Sequence, residues 1–522
     1  MRLHGANRAL LILIVAMVAL TLSPRTTKAA SPLNRPYDPV VLLGQDLPTL
    51  AGVGPADIVA FRYDGGWQQV PVQVDERAAV DLGDIYNVAC PAGSAAGQAY
   101  TPPCDVTELV YTDAGTFTGP DPDPTLDTND EIALMARDAG VQAPAVTALP
   151  GGVVPGTGVQ VTINDALDAS TGYVYLFRGN SSLDPGAGQQ YVSYAFDLLS
   201  GSYLATYNTL NGPNPEDSGV TTPYYTHHFS DRWISDALTI KAGASTGADI
   251  LDRHKNLFSP SACVRSENTF SDGEGAFIAN KSGPVRAIRS YLGANSGPLT
   301  QRDHIFYEQR QDIRTYLRVH AIPGVMDFFD YSPAASGMTY YDSLNTSGVT
   351  IDGNPDAVAT GAIAWELVTG AQGSLVIAAA LTTNIPGFAF TSYYLDDTTP
   401  PDTQCTGDTF AYGASGVWVN QAIPCTDPSM NCTSYLQAQR TLYYGAPGAT
   451  VSDAQGLSDD AAVPLTYTIA PYQPSPAVGG FTGLADVAQP RSGNNRLLAA
   501  AATAAALIAL GGAAWRARRR GV

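Results

Sequence analysis

Short runs of β-branched and aromatic residues, separated by turn residues, dominate this chain, and helical periodicity is almost absent. Residues 57–77 contain an apolar run, an Asp-Gly-Gly turn and a second apolar run, and residues 158–167 and 172–179 form another candidate pair. Such side chains fit a pleated sheet, while Gly, Asn and Asp divide it into hairpins. The sequence therefore predicts an all-β fold.

The C-terminal half contains longer runs of the same kind. Residues 283–293, 302–322 and 337–344 predict long strands of one large sheet. Residues 302–322 contain neither Gly nor Pro, so a helix is the alternative there. Their content of Ile, Phe, Tyr and Val favours a strand.

Apolar segments at both ends predict export and membrane anchoring. Residues 9–22 follow Arg2 and Arg8, and small residues precede a cleavage point after Ala29, as in a secretory signal peptide. An uncleaved anchor is the alternative. Residues 497–515 carry no charge and would cross a hydrocarbon core of about 30 Å as a helix. A sorting signal, clipped and replaced by a lipid or wall linkage, is the alternative there.

The predicted ectodomain, about 460 residues, exceeds one ordinary core, so we expect two β-domains. The first is small and sandwich-like, and the second is a large β-sandwich or supersandwich. A stalk rich in Pro and Gly then leads to a single membrane span with its basic tail in the cytoplasm. The predicted segments are 1–29 (signal peptide), 30–165 (N-terminal β-domain with an acidic loop), 166–469 (large β-domain), 470–496 (stalk), 497–515 (transmembrane helix) and 516–522 (tail).

Charge and cysteine content narrow the partners and the compartment. Residues 30–490 hold all 48 acidic residues and 18 of the 28 basic ones, a formal charge of −30. Nucleic acid is excluded as a partner because a phosphate polymer needs a basic face. An even number of cysteines in an exported chain predicts disulfides, with proximity favouring Cys90–Cys104 and one bridge within the last three cysteines. The six are Cys90, Cys104, Cys263, Cys405, Cys425 and Cys432.

An acidic loop at residues 119–140 is the candidate metal site. Pro122 and Pro124 hold the backbone extended, so alternate side chains point the same way. Clustered carboxylates repel one another unless a cation neutralises them, and Ca²⁺ prefers such oxygen ligands. The alternative is a solvated acidic loop, and the spacing is not that of an EF-hand. The predicted ligands are Asp121, Asp123, Asp127, Asn129, Asp130 and Glu131.

Three segments carry a resemblance to a known group of proteins: VPVQVDER at 70–77, DTNDEIALMARD at 127–138 and SGPVRAIRSYL at 282–292. Together they resemble secreted bacterial proteins of unassigned function, in which a small β-domain precedes a galactose-mutarotase-like β-supersandwich. The resemblance implies a fold shared with many carbohydrate-active proteins. It transfers no catalytic residue, because a fold alone does not carry a function.

Candidate catalytic residues come from their chemistry. Sites that act on glycans combine a His or Tyr with an acid, and an Arg to hold hydroxyls or a carboxylate. His304 and Glu308 would project to the same side of one strand, whereas the adjacent His227 and His228 would face opposite sides. Ordinary buried pairs in a large sheet are the alternative. The candidate set is Tyr225, His228, Arg232, His304 and Glu308.

These patterns predict an exported, membrane-anchored surface protein that binds a carbohydrate or a neighbouring surface component. A glycan-active lyase or epimerase that uses the C-terminal sheet is the alternative. A surface-layer or adhesion protein would instead self-associate when calcium is added. The chain contains no Ser-His-Asp signature and no phosphate-binding Gly loop.

If the acidic loop binds Ca²⁺, millimolar calcium should raise the melting temperature of the protein. The double substitution Asp123→Ala and Asp127→Ala should abolish that rise, because it removes two of the predicted ligands. Melting curves in calcium and in chelator measure the effect. Identical curves for the unaltered chain would exclude a structural calcium ion.

Overall fold

A computed structural model describes residues 31–82, 107–200, 215–258, 275–293, 300–318, 324–399, 411–422 and 435–474. The predicted signal peptide, the six cysteines, the stalk beyond Pro474 and the predicted membrane span lie outside these residues. Export, disulfide formation and membrane anchoring therefore remain predictions. Among the described residues, no helix is long and apolar enough to cross a membrane.

Strands make up most of the regular secondary structure of the described chain. The first thirteen are β1 (Pro39–Leu43), β2 (Ile58–Tyr63), β3 (Trp67–Val70), β4 (Gln73–Asp75), β5 (Arg77–Asp81), β6 (Thr107–Tyr111), β7 (Glu131–Met135), β8 (Val159–Asn164), β9 (Thr171–Arg178), β10 (Ser193–Ala195), β11 (Ser218–Thr221), β12 (Tyr225–Phe229) and β13 (Ser235–Ile240). The others are β14 (Leu251–Phe258), β15 (Gly275–Ser282), β16 (Ala287–Gly293), β17 (Thr300–Phe306), β18 (Arg310–Arg318), β19 (Val325–Tyr331), β20 (Thr339–Asp342), β21 (Val349–Thr350), β22 (Trp365–Gly370), β23 (Gly373–Thr383), β24 (Thr391–Asp397), β25 (Ala411–Val419), β26 (Tyr435–Gly445) and β27 (Thr466–Pro471).

The all-β prediction is confirmed, and so are both predicted hairpins. Strand β2 pairs with β3, and β8 pairs with β9, each antiparallel. One α-helix, α1 (Val451–Ala462), was not predicted. Its apolar positions are few, so periodicity gave no signal. A capping box between Thr450 and Asp453 marks its start.

The described strands form six sheets. Near the N-terminus lie a five-stranded sheet (β27-β8-β9-β2-β3), a three-stranded sheet (β1-β7-β4) and the ribbon β5-β6. The predicted large sheet has nine strands in the order β15-β16-β17-β18-β26-β23-β22-β20-β21. Two four-stranded sheets, β10-β11-β12-β13 and β14-β19-β25-β24, accompany it. Their side chains share one hydrophobic core with it, as expected for packed β-layers.

The last described strand returns to the first part of the chain. Strand β27 pairs along its whole length with β8, so the five-stranded sheet contains strands from both sides of the predicted boundary at residue 165. Tyr472, which follows β27, packs edge-on against Trp67, Tyr175 and Phe177. Residues 470–472, assigned above to the stalk, thus belong to this sheet and its aromatic cluster.

The space between the nine-stranded sheet and β14–β19 is charged. Asp327 of β19 accepts hydrogen bonds from His254 at 2.7 Å, Arg302 at 2.9 Å and Arg440 at 3.0 Å. All four residues are buried. Burial disfavours the charged carboxylate, but His254, Arg302 and Arg440 outweigh it and hold the pKa of Asp327 well below its usual range. These bonds join the two sheets electrostatically.

The substitution Asp327→Asn should lower the free energy of unfolding by about 3–5 kcal/mol, because it removes the carboxylate that two buried guanidinium groups share. The folded-state pKa of Asp327 lies below its unfolded value, so its stabilisation is present above about pH 4 and is lost as the pH falls through the folded pKa. Denaturant unfolding at pH 7 and in acid measures both effects.

Asp217→Asn is the matched control. Asp217 is largely exposed and pairs with the partly exposed His228, so its loss should change stability by no more than about 1 kcal/mol. Equal losses for the two variants would show that the buried carboxylate does not hold the sheets together.

Candidate functional site

His304, the predicted acid–base residue, lies wholly inside the sandwich. Its Nε2 shares a hydrogen bond with the Tyr291 hydroxyl at 2.9 Å, and its Nδ1 accepts one from the Gln311 amide at 3.1 Å. Burial, and then the charge of Arg302, hold the pKa of His304 well below its usual range. The neutral ring is therefore a satisfied part of the core.

Three other predicted residues also have structural partners. Tyr225 is buried, stacks on Tyr444 at 3.9 Å between ring centres, and donates to the Tyr307 carbonyl at 2.9 Å. Arg232 is fully buried. His228 lies on the outer face of β12, with Asp236 at 2.6 Å and Asp217 at 2.8 Å. The prediction that His227 and His228 face opposite sides is confirmed, since His227 is buried.

Glu308 is the one member of the predicted set that faces an open cavity. The expectation that His304 and Glu308 share one side of a strand is wrong, because residues 302–322 do not form one strand. Strand β17 ends at Phe306, and the Tyr307 amide donates to the Arg310 carbonyl at 2.8 Å across a tight turn. Glu308 and Gln309 occupy the centre of that turn, away from the interior ring of His304.

This cavity, here named the turn cleft, has a volume of about 340 Å³. Pockets that bind small molecules typically enclose about 300–1,000 Å³. Four separate parts of the chain meet there. The cleft is lined by Pro36, Tyr37, Met135, Arg137, Tyr224, Glu308 and Gln309.

Buried contacts fix these parts in place. Asp38, next to Tyr37, forms an ion pair with Arg310 at 2.7 Å. This pair connects the segment before β1 to the nine-stranded sheet. The side-chain amide of Gln309 donates a hydrogen bond to the Tyr444 carbonyl at 2.9 Å. The Tyr225 hydroxyl donates one to the carbonyl of Tyr307, the residue before Glu308. Tyr224 immediately precedes β12, and the pairing of β12 with β13 fixes its position at the edge of the cleft. The cleft is therefore held by the rigid sheets.

The polar groups of the turn cleft are a guanidinium, a carboxylate and an amide. Arg137 forms an ion pair with Glu308, and its guanidinium lies 4.8 Å above the ring of Tyr191. A guanidinium has five donors in a fixed fork, more than one ion pair uses. Burial, together with nearby Tyr224, raises the pKa of Tyr37, so its hydroxyl is neutral at pH 7. The arrangement can donate and accept hydrogen bonds beside two aromatic rings.

A second cavity, between the nine-stranded sheet and β14-β19-β25, is much smaller. Asn256, Thr300 and Asp327 line it, and the Asn256 amide nitrogen and the Thr300 hydroxyl have no hydrogen-bond partner among the described residues. Its walls are apolar, with Trp233 and Phe390 among them. The volume is only about 30 Å³, enough for one or two waters but not for a sugar ring.

The predicted calcium ligands mostly bond to their own loop. Asp121, Asp123 and Asp127 accept hydrogen bonds from groups two residues further on. Asp130 accepts backbone bonds from Arg77 and Asp127. No group of three or more His, Cys, Asp or Glu in the described chain could hold a metal ion. Calcium binding stays a prediction for the melting experiment.

Glu131, the last predicted ligand, has a structural role. It accepts from Arg77 and Arg286, each at 2.7 Å, and from the Tyr111 hydroxyl at 2.8 Å. Burial opposes its charge, but Arg286 and Arg77 lower the pKa of Glu131 to about 2. The carboxylate thus links the acidic loop to Arg286, which immediately precedes strand β16 of the nine-stranded sheet.

Sequence reasoning missed Tyr37, Arg137, Tyr224 and Gln309. The Tyr224-Tyr225 doublet offered one signal, because alternation sends one ring of a doublet outward. Tyr37 and Arg137 gave none. They reach the turn cleft only because β1 and β7 pair with each other and pack beside the nine-stranded sheet.

Comparisons with known proteins give limited information. No family model matches the chain, and no curated protein matches it. Among solved structures, a protein assigned as an aldose 1-epimerase from Escherichia coli K12 is similar over 49% of this chain and all of its own, at 8% identity and a TM-score of 0.23. An alpha-mannosidase from Enterococcus faecalis is similar over 81% of this chain and 47% of its own, at 12% identity and a TM-score of 0.34. Both names are those of carbohydrate-acting proteins, but these scores are too low to support an argument about function.

Proposed function

We propose that this chain is an exported carbohydrate-binding protein, held at the cell membrane by its C-terminal segment, and that the turn cleft holds the sugar. The observation that carries the proposal is the meeting of Tyr37 and Tyr224 with the Arg137–Glu308 pair in an open cavity of about 340 Å³. The exported location is supported by the apolar segments at residues 9–22 and 497–515.

A sugar ring matches the chemistry of the turn cleft. It has an apolar face of C–H groups, which packs on an aromatic ring, and a rim of hydroxyls that both donate and accept. Arg137 and Gln309 supply donors, and Glu308 supplies acceptors. Arg137 is also the only basic residue among the described residues that line the cleft. A polyanionic ligand would therefore find few basic groups to neutralise its charge, because the protein is strongly acidic.

Binding accounts for the cleft better than catalysis does. Most glycoside hydrolases need two carboxyl groups on either side of the bond to be broken. Among the described lining residues only Glu308 carries a carboxylate, and it is already paired with Arg137. An epimerase needs an acid and a base near one carbon, and His304, the predicted partner of Glu308, is enclosed in the core.

Removing the aromatic face or the acceptor should weaken binding. Tyr224→Ala should reduce the affinity for a bound glycan roughly three- to tenfold, the range expected for one aromatic contact. Glu308→Gln should weaken it by about tenfold or more, because a charged acceptor is replaced by a neutral amide. A glycan array on the full-length chain identifies the ligand, and calorimetry measures the affinities. The detergent must lack a sugar head group, since such a head group would compete.

Tyr435→Ala is the matched control. Tyr435 is an exposed tyrosine at the start of β26 and does not line the turn cleft. Its loss should leave affinity unchanged. The proposal is wrong if the array shows no binding, or if Tyr224→Ala and Tyr435→Ala bind equally well. Turnover of an array ligand would instead support the enzymatic alternative.

A further inference from the structure

Another cavity, larger than the turn cleft, adjoins it. This cavity, here named the helix chamber, has a volume of about 400 Å³ and lies between α1 and the ends of β23 and β26. It shares Tyr37 and Gln309 with the turn cleft. These two residues therefore lie where the cavities meet. The two adjacent cavities are together named the groove, and each is one of its compartments.

One face of α1 forms a wall of the helix chamber. Ser452, Gly456 and Asp460 recur every four residues and all line it, with Asp453 and Leu457 between them. Tyr443 of β26 lines the chamber as well, whereas the ring of Tyr444, the next residue, packs in the core against Tyr225. The compartment thus combines aromatic side chains with hydroxyls and carboxylates.

Gly456 is not explained by packing within the protein. It lies in the middle of α1, where glycine is the least favourable ordinary residue after proline. A Cβ atom added at Gly456 would meet no heavy atom of the described residues within 4 Å. None of their side chains or backbone groups therefore requires a glycine here. A larger side chain at this position would project into the helix chamber and reduce its room.

The charges of the helix chamber limit what it accepts. Asp453 and Asp460 line it, and none of the described lining residues is basic. An acidic sugar unit would be repelled there, whereas a neutral unit would not. The two compartments are each large enough for a small-molecule ligand.

From this geometry we infer that the groove binds an oligosaccharide of at least two neutral units, one in the turn cleft and one in the helix chamber. The inference rests on the proposed function, because the turn cleft is the first subsite. Gly456 leaves space for the second unit. Tyr37 and Gln309 contact the oligosaccharide where its two units join.

The test compares ligand length with two substitutions at one helix position. The probes are glucose, mannose, galactose and N-acetylglucosamine, each as the single sugar and as its two- to four-unit oligomers, with galacturonic acid oligomers as the acidic arm. The full-length chain should bind the best oligomer about tenfold more tightly than its single sugar. Gly456→Phe should remove that gain by filling the helix chamber, and Gly456→Ala should keep it. Melting curves verify that both variants fold, since alanine and phenylalanine each favour a helix more than glycine does.

Each outcome separates the two proposals. A length gain that Gly456→Phe removes and Gly456→Ala keeps supports the two-unit groove. Equal affinity for single sugars and oligomers, an unchanged gain in Gly456→Phe, or preference for the acidic oligomers overturns it. In those cases, loss of binding in Tyr224→Ala still supports the turn cleft as a sugar site. No binding to any probe by the unaltered chain overturns both.

Discussion

The buried ion pairs of Asp327 are the interaction on which the sandwich depends. A space between two sheets is usually filled by apolar side chains, but here a carboxylate from β19 meets guanidinium groups from β17 and β26. A buried charge is tolerated only when it is paired and hydrogen-bonded, and Asp327 meets that condition through His254, Arg302 and Arg440. The buried histidines His254 and His304 likewise form hydrogen bonds inside the sandwich and are closed to solvent.

The candidate site lies at the ends of strands because the interior of the sandwich is filled. Side chains inside the sandwich are closed to solvent, whereas turns and strand ends open to it. The turn cleft gathers the segment before β1, the residues after β7, the start of β12 and the turn between β17 and β18. The ion pair of Asp38 with Arg310 and the pairing of β1 with β7 hold distant parts of the chain together at the cleft. A rigid frame of this kind suits a preformed binding site.

Sequence patterns predicted the strands well because composition and alternation are local properties. The two hairpins at residues 58–70 and 159–178 have turn residues that glycine and aspartate make visible. The turn at Glu308 and Gln309 was missed because neither residue is a typical turn former. The site could not be predicted for a different reason. Whether His304 faces the core or a cleft depends on which strands pair across the sheet, and that pairing joins residues far apart in the chain.

Helix α1 shows how a departure from local preference bears on function. The capping box at Thr450 and the packing of Leu457 against the cluster around Trp365 and Tyr443 favour the helix. Gly456 opposes it, and the space around the missing Cβ atom is open. Natural chains depart from local rules mainly where function or strain requires it, and a helix interior without steric crowding offers no strain to relieve. The proposed binding of a sugar unit in the helix chamber would give this glycine a function, because the space that it leaves open lies on the face of α1 that lines the chamber.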